Sequence, residues 1–152
     1  MSKYKLIQLT NNNIPAVEAN SFLPLGSVTR RYNSALADCG TFEVTSSSSD
    51  TLMITEPGYY KVTYSATMTA AAAGNVSVTL VTNENNIYTV SEEATAAEDI
   101  VNITLTYVIR VCPNCCSAPT NCPVSTQFKL GDVALGTTPS GSTSNIIIER
   151  VG

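Results

Sequence analysis

Histidine and tryptophan are absent, and charge is scarce: Lys, Arg, Asp and Glu make up 13% of the 152 residues. Without histidine, every Ser-His, Cys-His and His-metal mechanism is excluded at once. Without tryptophan there is no indole to stack a sugar. The net charge of −4 lacks the basic footprint of a nucleic-acid binder. No stretch reaches the roughly 18 apolar residues of a membrane span. The N-terminus, MSKYKLIQLTNNN, has no long apolar h-region and does not read as a signal peptide. No fixed-period repeat is present, which argues against a solenoid or propeller.

Ser, Thr and Asn fill the place of charge, so the surface is neutral and hydroxyl-rich. With 43% hydrophobic residues, the chain has the material for one domain with a real core. Period-2 alternation, broken by turn residues, dominates it. Strands are predicted at 4–9, 27–32, 41–45, 51–55, 59–69, 75–82, 87–90, 100–111, 126–130 and 145–151. In the longest, Tyr60, Val62, Tyr64, Ala66 and Met68 share one face, and Lys61, Thr63, Ser65, Thr67 and Thr69 the other. In 100–111, Val108 joins the otherwise polar face of Asn102, Thr104, Thr106 and Arg110. The turn Glu56-Pro57-Gly58 has a mechanism, since Pro pre-sets one turn angle and Gly supplies the other. No amphipathic helix competes. The expected fold is all-β: a jelly-roll sandwich of about eight to ten antiparallel strands. Residues 1–38 read as an extended N-terminal arm and 39–152 as the jelly-roll head. The Ser/Thr loops 46–50 and 137–144 are the candidate binding tips.

The cysteines are the loudest chemical signal. Cys112, Cys115, Cys116 and Cys122 crowd one loop, and Cys39 stands apart. Four thiolates could close a zinc tetrahedron, starting from the Cys112-x-x-Cys115 knuckle. The second half of the loop has no matching knuckle, and disulfides within the loop fit as well. Free thiols are the third reading. The odd count leaves at least one thiol unpaired or paired between chains. Disulfides suit an oxidising compartment, whereas the missing signal peptide speaks against ordinary secretion. A particle assembled in the cytosol and later released satisfies both. Glu92, Glu93, Glu98 and Asp99 offer oxygen ligands for calcium but lack the spacing of a calcium loop. They could also act as a carboxylate pair in glycoside hydrolysis, but they read as a solvated acidic loop. No cofactor is expected, and the chain does not read as an enzyme.

The segment Glu56-Pro57-Gly58-Tyr59-Tyr60-Lys61-Val62-Thr63-Tyr64-Ser65-Ala66 resembles the Pro-Gly turn and aromatic strand of the tumour-necrosis-factor and complement globular-head superfamily. Phe42-Glu43-Val44 and Leu52-Met53-Ile54-Thr55 are similar to the short strands before it, and Val76–Leu80 to the strand after it. Asn145–Gly152 resembles the closing strand. The resemblance covers about residues 40–152. It implies a homotrimer doing binding or structural work, of the kind that forms fibre and spike heads in bacteria and phages. The arm segment containing Phe22, Leu23, Leu25, Arg30 and Arg31 resembles the N-terminal segments of small phage structural proteins, which implies a role in gripping a capsid.

Ile146, Ile147 and Ile148 put apolar side chains on both faces of one strand, which a sheet with one wet face should not do. Either residues 1–38 cover the outer face, or a second chain does. The expected trimer contacts are Tyr60, Tyr64, Ile146, Ile147 and Ile148. The resulting expectation is a phage virion structural protein: a trimeric head fibre, spike or decoration protein, attached to another virion protein through the arm. It would bind a host-surface glycan or protein, with no nucleic-acid partner and no membrane insertion. A bacterial cell-surface or spore-coat protein of the same fold is the alternative. A small carbohydrate-active or metal-dependent enzyme is the reading that the missing histidine disfavours most.

Overall fold

The computed structural model describes residues 5–32, 42–44, 50–112, 124–131 and 142–152. They hold ten strands and no helix: β1 (Leu6–Ile14), β2 (Ser27–Tyr32), β3 (Phe42–Val44), β4 (Leu52–Ile54), β5 (Gly58–Thr69), β6 (Gly74–Thr82), β7 (Asn85–Ala94), β8 (Ile100–Val111), β9 (Val124–Leu130) and β10 (Ser142–Arg150). A front sheet runs β2-β1-β10-β5-β8 and a back sheet β3-β4-β9-β6-β7. Every neighbouring pair is antiparallel. The fold is the expected all-β jelly-roll sandwich.

Alternation decides which face is buried. Along β5, Tyr60, Val62, Tyr64, Ala66 and Met68 point into the sandwich, while Tyr59, Lys61 and Thr67 are exposed. Along β10, Ile146 and Ile148 point inward. Aromatic rings join the two sheets. Phe42 of β3 meets Tyr60 edge-on at 5.8 Å, and Phe128 of β9 lies 4.5 Å from Tyr64. Such pairs add about 0.5–1.5 kcal/mol beyond their burial.

The expected division into an arm and a head does not survive among the described residues. β1 pairs with β10 from Leu6 to Ile14 and carries β2 on its other side. Ile7, Leu9, Ile14, Leu23 and Leu25 are core residues. The reason is that β10 needs a partner on each side, and the N-terminal strand supplies one in the plane of the sheet. β1 therefore pairs beside the Ile146–Ile148 strand and does not cover its outer face. It also continues through Asn11, opposite Ser144, where the sequence suggests a turn. Residues 15–26 then cross to the back sheet. Phe22 bridges Lys129, Leu23 N–H donates to the Phe128 carbonyl at 2.7 Å, and Leu130 N–H donates to that of Ser21 at 2.9 Å. This fills the place beside β9 that the three-residue β4 leaves open. Gly26, at φ +92°, turns the chain back over β1, and a Cβ there would lie 2.4 Å from the Thr10 carbonyl oxygen.

β7 is longer than expected and takes in Ser91, Glu92 and Glu93, which pair with Ser77, Val76 and Asn75. An edge strand can carry exposed acids at no desolvation cost, and charge discourages further edge pairing. The strand directions place Lys5, Gly58, the Asn83-Glu84 turn, Cys112 and Gly152 at one end of the sandwich, the terminal end. The 70–74 and 95–99 loops lie at the other. Both loops 46–50 and 137–144 fall largely outside the described residues.

Candidate interaction face

The outward face of the front sheet is built in cross-strand rows. Gln8, Ile147, Thr63 and Thr106 form one, and Thr10, Asn145, Ser65 and Thr104 the next. Beyond them, toward the distal end, come Thr143, Thr67 and Asn102. On β1, β10, β5 and β8 these three rows contain no charge; Arg30 of β2 stands beside the first of them, opposite Gln8. Several of their polar groups pair across strands: Gln8 Nε2 donates to Asn145 Oδ1 at 2.8 Å, Thr10 Oγ1 donates to the same oxygen at 3.2 Å, and Thr67 donates to Asn102 Oδ1 at 3.0 Å. A shallow depression of about 500 Å³ crosses the face between Thr10, Ser65, Asn102 and Asn145. On these strands charge appears toward the terminal end, where Leu6, Glu149, Lys61 and Val108 line up. Arg110 follows, its guanidinium 5.9 Å above the Tyr59 ring.

One edge of the sandwich is different in kind. Tyr88 of β7 stacks on Tyr107 of β8 at 5.3 Å, with 27° between the rings. Tyr88 is 44% exposed, Val108 50% and Ile100 58%. These residues are absent from the expected contact list. Val108 was legible, because it breaks the polar side of the β8 alternation. The opposite edge is β2, exposed along its whole length, with Arg31 donating to the Phe42 carbonyl at 3.3 Å.

Of the five residues expected to touch a second chain, four have no surface for it. Tyr60, Tyr64, Ile146 and Ile148 are fully buried between the sheets, and Tyr60 spends its hydroxyl on the Glu56 carbonyl at 2.7 Å. Ile147 alone faces outward, partly exposed. Burial drives the Tyr64 phenol far above its ordinary pKa, and neither its oxygen nor that of the nearby Ser144 completes a hydrogen bond. The expected attachment residues divide in the same way. Leu23 and Leu25 are core, whereas Phe22, Arg30 and Arg31 are exposed.

Cys112 is disulfide-bonded, so it offers no thiolate to zinc. Cys39, Cys115, Cys116 and Cys122 lie outside the described residues. Among the described residues, no cluster of three or more Cys, Asp or Glu is arranged to hold a metal. Asp99 turns its carboxylate onto its own loop. Thr95 Oγ1 donates to Asp99 Oδ2 at 2.6 Å, and the Thr95 and Ala96 amides at 2.9 and 3.0 Å. The Thr95 side-chain bond, then the backbone bonds, hold its pKa below the usual carboxylate value. At the terminal end Glu56 accepts from Lys5 at 2.8 Å and Arg150 at 2.6 Å, tying the two ends of the chain together. No helix among the described residues is long and apolar enough to cross a membrane.

No family model matches the sequence, and no curated protein matches it. Solved structures do. Murine APRIL at pH 5.0 superposes with a TM-score of 0.62 at 11% identity, over 98% of this chain and 100% of that one. The Eiger TNF from S. frugiperda gives 0.62 at 7% identity, over 98% and 92%. The PRD1 vertex protein P5, from a phage, gives 0.60 at 13% identity, over 97% of both chains. The architecture is therefore the TNF-like jelly roll, shared by cytokines and a phage vertex protein. At these identities the likeness is one of fold.

Proposed function

We propose that the chain is a phage virion structural protein: a homotrimeric jelly-roll head of a spike, head fibre or decoration protein, which projects from the particle and contacts the host surface. The observation that carries this reading is the match to the PRD1 vertex protein along 97% of both chains. The surface chemistry supports the assembly. A ring closed by a heterologous contact needs two different, complementary patches on each copy. The uncharged rows around Ile147 form one patch, and the Tyr88, Tyr107 and Val108 edge the other. The face has little apolar surface and no aromatic ring in its uncharged rows, and the edge supplies both. Interface cores are depleted of charge and enriched in tyrosine. In this reading the terminal end faces the particle and Arg30, Arg31 and Phe22 remain available to a virion partner. No catalytic step and no cofactor is needed.

Light scattering on non-reduced protein should give about three times the 16.1 kDa chain mass, and mass spectrometry of purified particles should find the chain. A monomer at all concentrations tested would overturn the trimer, and absence from particles would overturn the virion role.

A further inference from the structure

We propose that Glu84 forms an ion pair between copies: it reaches from the β6–β7 turn of one chain onto the cationic end of the next chain's front sheet, against Lys61. This deepens the trimer reading and rests on it.

Three observations carry it. First, across β1, β10, β5 and β8 the outer face of the front sheet is uncharged except toward the terminal end, where it carries Lys61 and Arg110; Arg30, on β2, lies one row further in, opposite Gln8. Lys61 and Arg110 are exposed, and neither makes an ion pair among the described residues. Glu149, beside Lys61 in register, is the one acid in those rows, so that end of the face offers two cations to one carboxylate. Second, the edge with Tyr88 and Tyr107 ends at the same level in the Asn83-Glu84 turn. Rotation about an axis along the strands keeps the terminal ends of all copies level. An edge laid on its neighbour's face then brings this turn to the cationic end. The other exposed acids of β7, Glu92 and Glu93, lie toward the distal end, opposite uncharged rows. Third, Glu84 occupies a position poorly suited to it. Asn83 and Glu84 have φ of 46° and 68°, the left-handed pair of a two-residue hairpin, in which Gly is favoured second. Asn83 fits and is fixed in place, its Oδ1 accepting from Ser125 N–H at 2.8 Å. Glu84 is exposed and holds a strained conformation at the hairpin tip, where strain of this kind points to a use for the side chain.

The test uses the full chain, with association followed by sedimentation in low and high salt and folding by thermal melts of dilute protein. Glu84→Gly should raise the melting temperature, because Gly relieves the turn, and should weaken association by about tenfold. Opposite signs in folding and assembly separate a contact residue from a structural one. Glu84→Lys should weaken association further, and Lys61→Glu in the same chain should restore it. Wild-type association should weaken in high salt. A wild-type trimer that Glu84→Gly and Glu84→Lys leave intact would overturn the ion pair alone. A monomeric wild type would overturn the trimer reading itself, and the pair with it.

Discussion

Ile147 and Ile148 are the same residue with opposite surroundings. Ile148 is fully buried between the sheets, and Ile147 faces outward among Gln8, Thr63 and Thr106. Ile148→Glu should cost at least about 4 kcal/mol, because an unpaired carboxylate would be held in the core, and the variant should fail to melt cooperatively. Ile147→Glu should leave the fold within about 1 kcal/mol of wild type and yield monomers by light scattering. Tyr64 gives a second contrast. Its hydroxyl is buried without a partner, so Tyr64→Phe should be neutral or stabilising by about 1 kcal/mol. Its phenol titrates far higher folded than unfolded. Its share of stability is therefore complete below about pH 10, the unfolded value, and is lost as pH rises beyond it. Denaturant melts of Tyr64→Phe should show a shallower alkaline decline than wild type.

Among the elements, β1 departs furthest from its expected role. Deleting residues 1–32 removes two strands and the core side chains Ile7, Leu9, Ile14, Leu23 and Leu25. At about 1.5–3 kcal/mol each, those five alone rival the about 5–15 kcal/mol that holds a typical domain folded. The truncated chain should therefore be insoluble, where a detachable arm would leave a soluble head; expression and circular dichroism distinguish the two. The β7–β8 connection is held differently, by Asp99 on its own loop and by the Ala70 amide donating to the Asp99 carbonyl at 2.9 Å. The Asp99 carboxyl titrates below its ordinary value, so its contribution is present above about pH 4 and fades as pH falls through the folded value. Amide exchange at Thr95 and Ala96, compared between wild type and Asp99→Ala at neutral pH and in acid, should show protection that only the wild type has and that acid weakens.

In the molecule as a whole, the strands were readable because period-2 burial is a local property. β5 and β8 follow the alternation of their sequences, with Tyr60 and Ile103 inward and Lys61 and Asn102 outward. The resemblance around Glu56–Ala66 pointed to the same jelly roll that the structural matches share. The candidate site was less legible. Tyr60 and Tyr64 could be placed on one face of a strand, but periodicity does not say whether that face meets the second sheet of the same chain or a neighbouring chain. Nor could it reveal that β1 lies beside β10, since pairing across more than a hundred residues depends on which strand edges remain open after the others have paired. Alternation, turn chemistry and composition establish an all-β, weakly charged, His-free chain, because each acts between near neighbours in sequence. Which residues are surface is settled when the two sheets close on each other. That closure buries four of the five expected contact residues and leaves Ile147, the Tyr88 edge and the Glu84 turn facing out.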